Sequence, residues 1–133
     1  MLGHVSIRAS NLEASVKFYL AALAPLSYQE MRFPTVVGLG SSSSRAPIPD
    51  FWLRQYTPGP ENNHTEKPTP VHISFYVNEQ RLVDEFHKAG IEAGGKDNGK
   101  PRERPWMKGY YAAYVLDLDG NNIEVVCIST EAE

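Results

Sequence analysis

Two histidines and one glutamate have the residue types and the placement that metal chemistry requires. His4 and His72 each open an apolar, extended stretch, and Glu124 lies between Ile123 and Val125 in another. A carboxylate inside a buried strand is unfavourable unless it is paired or bound to a metal. Two imidazoles and one carboxylate form the facial set that holds non-haem Fe(II), and Mn, Ni or Zn accept similar nitrogen and oxygen ligands. The three residues therefore suggest a divalent-metal site with open positions for a substrate.

The two histidines lead the two copies of an internal repeat. A shift of 72 − 4 = 68 residues places Ser6 on Ser74 and Phe18 on Phe86, as well as histidine on histidine. A repeat of this length is one supersecondary unit used twice. Taken singly, a strand histidine is usually a hydrogen-bonded structural residue, and a strand glutamate usually faces solvent. The shared placement favours the metal interpretation but does not show that the three side chains meet.

The elements around these residues read as β-α-β-β-β in the first half. A helix is predicted from Asn11 to Leu23, behind a capping box formed by Ser10 and Glu13. Alternating apolar residues and turn signals predict strands over 2–9, 28–32, 35–39 and 51–56.

The second half repeats this order after a proline-rich linker. A helix is predicted over 79–89, ended by Gly90, and residues 96–108 read as a polar loop. Strands are predicted over 71–77, 91–93, 110–116 and 122–128. We expect one domain over 1–130, with module 1 at about 2–57, the linker at about 58–70 and module 2 at about 71–129.

Composition and charge exclude several classes of protein. The 133 residues, 41% of them hydrophobic, favour a single compact domain, and the net charge of −3 argues against a nucleic-acid surface. No apolar run has the length of a membrane span, and the N-terminus lacks the pattern of a signal peptide. A single cysteine, Cys127, fits a reducing compartment. We expect a cytoplasmic protein whose partner is a small molecule, not a membrane or nucleic acid.

Four motifs spread along the chain carry a family resemblance. They are His4-Val5-Ser6-Ile7, Ser15-Val16-Lys17-Phe18-Tyr19, His72-Ile73-Ser74-Phe75 and Asp117-Leu118-Asp119-Gly120-Asn121-Asn122-Ile123-Glu124. With these motifs the chain resembles the vicinal oxygen chelate superfamily, which includes glyoxalase I, extradiol dioxygenases, fosfomycin-resistance thiol transferases and bleomycin-resistance proteins. Leu118 stands where the family usually has proline.

The resemblance implies both a fold and a site. The fold is α+β, with two β-α-β-β-β modules that form a cupped, mostly antiparallel sheet around a divalent metal, which is Fe, Mn, Ni or Zn. The implied metal ligands are His4, His72 and Glu124. In many single-chain members two subunits exchange modules, so the resemblance also implies a homodimer in which each site draws on both chains.

One departure from the family concerns Trp52. Glyoxalase I carries a fourth protein ligand in the last strand of its first module, and matching Phe51-Trp52-Leu53 to Ile123-Glu124-Val125 places Trp52 there. Tryptophan cannot bind a metal, so a three-ligand site with open positions is favoured. Gln55 is the nearest substitute, but its odd spacing from Trp52 places it on the opposite face of a regular strand.

Further candidates lie in residues 96–111. The polar segment is either a solvated loop or a lid, in which Arg104, Trp106 or Lys108 would meet an anionic or aromatic substrate beside Trp52. Either Tyr110 or Tyr111 faces inward, because strand side chains alternate, and that tyrosine could donate a hydrogen bond during catalysis.

Three functions fit these residues. The first is a metal-dependent enzyme, either a carbonyl lyase or isomerase or an extradiol-type dioxygenase, in which Glu124 and a tyrosine act at the catalytic centre. The second is a non-catalytic small-molecule binding protein of the bleomycin-resistance type. The third is a scaffold that keeps its histidines as structural relics.

Overall fold

The computed structural model describes residues 1–42, 48–58 and 70–129. Most of the predicted linker lies outside the described residues. The first half contains β1 (Val5–Ala9), α1 (Leu12–Ala22), a 3₁₀ turn (Ala24–Leu26), β2 (Tyr28–Arg32), β3 (Val36–Ser41) and β4 (Phe51–Gln55). The second half contains β5 (His72–Tyr76), α2 (Gln80–Glu92), β6 (Lys96–Glu103), β7 (Tyr110–Leu116) and β8 (Asn122–Ile128).

The strands form two four-stranded sheets of the same topology. The first sheet has the order β1-β4-β3-β2, and the second has the order β5-β8-β7-β6. In each sheet the first strand pairs with the last in parallel, and the other neighbours are antiparallel. The parallel pair is possible because the helix and the other two strands of the module together supply the long connection that such pairing needs. The predicted α+β class with two β-α-β-β-β modules is confirmed.

The first helix begins one residue later than its sequence pattern suggests. Asn11 is the N-cap, and its side-chain oxygen accepts a hydrogen bond from the Ala14 amide at 3.0 Å. The predicted capping box of Ser10 and Glu13 is therefore wrong. Glu13 instead forms an ion pair with Arg32 of β2 at 2.8 Å, which joins the helix to the far strand of its sheet.

The second helix runs past Gly90, so the predicted helix end and the strand over 91–93 are wrong. Gly90 packs closely against β7, since a Cβ there would lie 3.3 Å from two methyl carbons of Val115. The chain turns instead at Gly94, whose φ of +106° favours glycine. The second strand of this module is β6, so residues 96–103 are not the predicted loop. Its two register irregularities and mostly exposed side chains hide the alternation that marks a strand.

The two modules share one hydrophobic core. Tyr19 of α1 packs on Phe51 of β4, with ring centroids 4.8 Å apart, and Phe51 packs on Phe75 of β5 at 5.6 Å. The helix-facing surfaces of both sheets therefore meet around α1 and α2, which also pack against each other. We call the opposite side of each sheet its outer face. Neither helix in the described part of the chain is long and apolar enough to cross a membrane.

Candidate functional site

The strand register gives Trp52 and Glu124 equivalent positions in the two modules. Ser6 of β1 pairs with Trp52 of β4, and Ser74 of β5 pairs with Glu124 of β8. Each serine lies two residues after the histidine that leads its module, so the alignment made from the sequence is confirmed. Gln55 points to the other side, where its side-chain oxygen accepts a hydrogen bond from the Leu12 amide at 2.8 Å.

His72 and Glu124 converge on the outer face of the second sheet. The distance between His72 Nε2 and Glu124 Oε1 is 3.0 Å. Glu124 is only 2% exposed, although it lies between the apolar residues Ile123 and Val125 of β8. Such a carboxylate needs a positive partner, because burying an uncompensated charge is strongly unfavourable.

Both ring nitrogens of His72 face oxygen atoms. Its Nδ1 lies 2.9 Å from the backbone oxygen of Asn122, while its Nε2 faces the Glu124 carboxylate. A neutral imidazole has one N–H, so it can donate to only one of these two groups. A backbone carbonyl on one ring nitrogen, with the other nitrogen turned towards a carboxylate, is also the usual setting of a metal-binding histidine.

The turn between β7 and β8 positions both groups. Asp117 Oδ1 accepts hydrogen bonds from the amides of Asp119 and Asn121 at 2.9 and 2.8 Å, and Gly120 has a φ of +87°. Asn121 Oδ1 accepts from the Val71 amide at 2.9 Å, which fixes the chain just before His72. The motif that carries much of the family resemblance therefore holds His72 and Glu124 in register.

Two tyrosines of β7 surround the Glu124 carboxylate on the outer face. The Tyr110 hydroxyl donates a hydrogen bond to Glu124 Oε2. Burial, followed by this hydrogen bond and the charge of Glu124, raises the pKa of Tyr110 well above its usual value. Burial also raises the pKa of Tyr114, whose ring centroid lies 6.1 Å from that of His72. Both phenols thus remain protonated donors at neutral pH.

Tyr111 faces the helices instead of the outer face. Its hydroxyl donates to Asp84 of α2 at 2.7 Å, and this hydrogen bond is the main cause that raises the pKa of Tyr111 to about 12. Of the two tyrosines suggested by the sequence, Tyr110 is the one beside Glu124.

His4 lies on the outer face of the first sheet, beside Trp52. The two ring centroids are 6.2 Å apart in an edge-to-face arrangement, and Trp52 also packs against Phe33 at 5.7 Å. Gly38, opposite Trp52 on β3, makes room for the indole, because a Cβ there would lie 2.8 Å from Trp52 Cζ3. Within the described ranges, no three metal-binding side chains of one chain come together.

The three predicted substrate-binding residues near β6 have different surroundings. Arg104 is only 6% exposed; its guanidinium lies over the Tyr114 ring at 5.0 Å and donates to the backbone oxygens of Lys100 and Ala112. It therefore supports Tyr114 from within the sheet instead of forming part of a lid. Trp106 is 64% exposed and donates from Nε1 to the Tyr114 hydroxyl at 3.3 Å, and Lys108 is exposed.

Sequence reasoning missed Tyr114, which is four residues after Tyr110 and shares its face beside Glu124. The alternation of side chains could have identified it once the strands were paired.

A profile of the Glyoxalase/Bleomycin resistance protein/Dioxygenase superfamily matches residues 1–125. The chain belongs to this superfamily, as the motifs around His4, His72 and Glu124 predict. No curated protein gives a significant match.

Solved structures of the same family share the fold. A glyoxalase/bleomycin resistance protein from Albidiferax ferrireducens T118 is 28% identical, with a TM-score of 0.68 over 93% of this chain and 95% of that one. A glyoxalase/bleomycin resistance protein/dioxygenase family enzyme from Burkholderia phytofirmans PsJN is 20% identical, with a TM-score of 0.72 over 96% and 98%. A glyoxalase-related enzyme from Fulvimarina pelagi is 18% identical, with a TM-score of 0.69 over 96% and 87%. The last two similarities concern the fold alone.

Proposed function

We propose that the protein is a divalent-metal-dependent enzyme of the glyoxalase/dioxygenase type, which acts on a small oxygenated substrate. Its metal ligands are His72 and Glu124 of one chain and His4 of a second copy. The observation that carries this proposal is the approach of His72 Nε2 to Glu124 Oε1 at 3.0 Å while Nδ1 faces a backbone carbonyl. A cytoplasmic location belongs to the same proposal.

A second copy is needed because the two outer faces point away from the shared core. Phe51 and Phe75 bring the inner sides of the two sheets together, so His4 and His72 lie on outward-facing sides. An isologous dimer can place the first sheet of one chain over the second sheet of the other, and its two-fold symmetry then forms two identical sites.

The residues present fit a metal with open coordination positions. A bound Fe, Mn, Ni or Zn ion would supply Lewis-acid chemistry to a substrate with adjacent oxygens. Tyr110 fixes the orientation of the Glu124 carboxylate, and its raised pKa keeps the phenol as a donor. Trp52 replaces the fourth ligand with an apolar wall, which leaves room for the substrate.

Metal analysis of protein purified without an affinity tag tests the proposal. After incubation with each ion, the wild-type protein should retain one metal per chain, and His72→Ala and Glu124→Gln should lose it. His87→Ala is the matched control, because His87 pairs with Asp97 at 2.9 Å outside the site and its loss should leave the metal content unchanged. Wild-type protein that takes up none of the four ions would contradict the metal site.

Mixed dimers test whether the site is shared between chains. His4→Ala and His72→Ala proteins should each bind no metal alone. When the two variants are unfolded together and refolded, half of the dimers should contain one chain of each variant. Each mixed dimer has one intact site and one that lacks both histidines. Roughly a quarter of the wild-type metal binding should therefore return. Failure of the mixture to bind metal, when refolded wild type does bind it, would argue against the exchange of modules.

A second candidate function is ligand sequestration without catalysis. The aromatic surface formed by the half-buried Trp52 and the exposed Phe33 favours it, because flat rings bind aromatic ligands by stacking. Metal-free protein that still binds an aromatic cation, with loss of binding in Trp52→Ala, would support this alternative over the enzyme.

A further inference from the structure

Arg104 is a buried cation on the same sheet as His72 and Glu124. Its guanidinium donates hydrogen bonds to the backbone oxygens of Lys100 and Ala112, and its Nε has no hydrogen-bond partner in the described part of the chain. Burial of a charge that keeps an unsatisfied donor is unfavourable, and an apolar side chain of similar volume would avoid this cost. The arginine therefore needs an explanation beyond the filling of space.

The guanidinium lies against the ring of Tyr114, which is held by several neighbours. Arg104 Cζ is 5.0 Å from the ring centroid, within the range of a cation–π contact. Gly99, the register partner of Tyr114 on β6, makes room for both side chains, because a Cβ there would lie 2.7 Å from Tyr114 Cδ1 and 3.2 Å from Arg104 Nη2. Trp106 Nε1 donates to the Tyr114 hydroxyl at 3.3 Å. These contacts together restrict the position of the phenol.

Tyr114 in turn adjoins both residues that converge on the outer face of the second sheet. It is the register partner of Glu124 on β8, and its ring centroid lies 6.1 Å from that of His72. Burial raises the pKa of Tyr114; the charge of Glu124 adds to this rise, and the charge of Arg104 opposes it. One phenol thus lies between a buried cation and a buried carboxylate.

The first module has no such arrangement, although it is built on the same plan. Gly38 stands where the second module has Tyr114, since each pairs with the last strand at the equivalent position. The hairpin between β2 and β3 has the three residues 33–35, whereas the hairpin between β6 and β7 has the six residues 104–109. The longer hairpin supplies both the buried arginine and the indole that contact the phenol. These contacts therefore accompany the module that holds the buried carboxylate.

We propose that Arg104 is a positioning residue that acts through Tyr114 on the two ligands that this chain contributes to the proposed metal site. The inference rests on the proposed function, because those ligands are His72 and Glu124. The guanidinium holds the phenol ring in place. The ring limits the rotation of the His72 imidazole, and the hydroxyl supports the Glu124 carboxylate.

A purely structural role for Arg104 is the alternative. Lys100, whose carbonyl accepts one of its hydrogen bonds, lies within a register irregularity of β6, so the guanidinium could serve that strand alone. Loss of the arginine would then lower the stability of the protein but would leave the surroundings of Tyr114 unchanged.

NMR spectra of the metal-free protein distinguish the two roles. The indole N–H signal of Trp106 and the ring signals of His72 report on two sides of Tyr114, and Trp106→Phe and His72→Ala assign them. Arg104→Met keeps the volume of the side chain but removes its charge, and it should shift both sets of signals. Arg102→Met removes an exposed charge from the same strand and should leave both in place.

Metal affinity, measured with a competing chelator, gives a second readout. Arg104→Met should weaken the affinity about tenfold, the lower end of the usual effect of losing a supporting group. Arg104→Lys keeps a cation for the ring and donors for the two carbonyls, so it should lose less. Arg102→Met should bind metal as the wild type does.

Unchanged NMR signals in a folded Arg104→Met protein overturn the inference, and so do equal losses of affinity in the methionine and lysine variants. Thermal unfolding shows whether each variant folds. If Arg104→Met does not fold, Gly99→Ala replaces it, because the added Cβ displaces the Tyr114 ring and should shift the same signals; unmoved signals there overturn the inference equally. Since the spectra are recorded without metal, a protein that binds no metal contradicts the proposed function alone.

Discussion

Trp52 and Glu124 show how one residue changes the chemistry of a repeated unit. Each pairs with the serine that lies two residues after its module's leading histidine. Glu124, however, is a carboxylate 3.0 Å from the His72 imidazole, whereas Trp52 is an indole that packs beside the His4 ring. The indole requires Gly38 opposite it, so the replacement involves a neighbouring strand as well. The first sheet thereby presents an aromatic surface at this position, whereas the second holds a buried carboxylate.

Restoration of the carboxylate in the first module should add a metal ligand. In Trp52→Glu, the new carboxylate lies beside His4 at the position equivalent to Glu124. We expect slower loss of metal to a chelator than in wild type, because the ion gains a fourth protein ligand. Trp52→Gln is the control of nearly equal shape, and a similar rate in the two variants would show that the position does not reach the metal.

Tyr110 and Tyr111 form a matched pair for testing which side chain supports the proposed metal site. Tyr110→Phe removes the hydrogen bond to Glu124 and should weaken metal affinity by about 10- to 100-fold, as loss of such supporting groups usually does. Tyr111→Phe removes a hydrogen bond to Asp84 on the helix side and should leave the affinity unchanged. Metal titrations with a competing chelator measure the metal affinity of each variant. Equal affinities in the two variants would show that the Tyr110 hydroxyl does not support metal binding.

At the scale of elements, a side-chain contact between His87 and Asp97 joins α2 to β6. His87 Nε2 lies 2.9 Å from Asp97 Oδ1, and hydrogen bonds from His87 and then from the Gly99 amide lower the pKa of Asp97. A carboxyl whose pKa is lowered in the folded state stabilises the fold above its unfolded pKa, and this contribution is lost as the pH falls through the folded value.

The stabilisation by Asp97 should therefore disappear in acid. Asp97→Asn should lower the melting temperature near pH 7, and the difference from wild type should narrow as the pH falls below about 4, the ordinary pKa of aspartate. Thermal unfolding, followed by circular dichroism at several pH values across this range, measures the difference in melting temperature. Glu92→Gln, at the end of the same helix, is the charge-matched control and should show no comparable effect at pH 7.

Most of the fold could be predicted from the sequence because the repeat and the periodicity agree. The strands led by His4 and His72 are apolar at alternate positions, and their helices carry regular stripes. Strand β6 could not be predicted, since its polar side chains and irregular register remove the period of two. The extension of α2 past Gly90 was hidden because that glycine serves close packing on Val115, not termination.

The candidate site was predictable only in part. The equivalence of Trp52 and Glu124 followed from the repeat, whereas the direction of Tyr110 depended on a register that the sequence does not contain. The burial of Arg104 beneath Tyr114 arises from contacts across β6 and β7, which no local pattern specifies.

At the scale of the whole molecule, the shared core makes the modules interdependent. Phe75 of the second module packs against both Phe51 and Tyr28 of the first, each at a centroid distance of 5.6 Å. Tyr19 of α1 donates a hydrogen bond to Asp117 of the second module, which adds a buried polar link. The two halves should therefore unfold together.

Single-tryptophan variants can follow each module separately. Trp106→Phe leaves Trp52 as the probe of the first module, and Trp52→Phe leaves Trp106 as the probe of the second. We expect coincident urea transitions at a fixed protein concentration. Phe75→Ala should lower the free energy of unfolding by about 3–5 kcal/mol at both probes. Tyr76→Ala, at the neighbouring exposed position, should have little effect, and two separate transitions would show that the modules fold independently.

The outward direction of the two sheet faces has a consequence for how the protein responds to its own concentration. In the proposed dimer, with His4 on one chain and His72 on the other, a bound ion would bridge the two chains, so that assembly and metal uptake would be thermodynamically linked. Dilution would then release metal and chelation would loosen the dimer, by the same amount of free energy. The abundance of the protein would thus control its activity as directly as the supply of metal does.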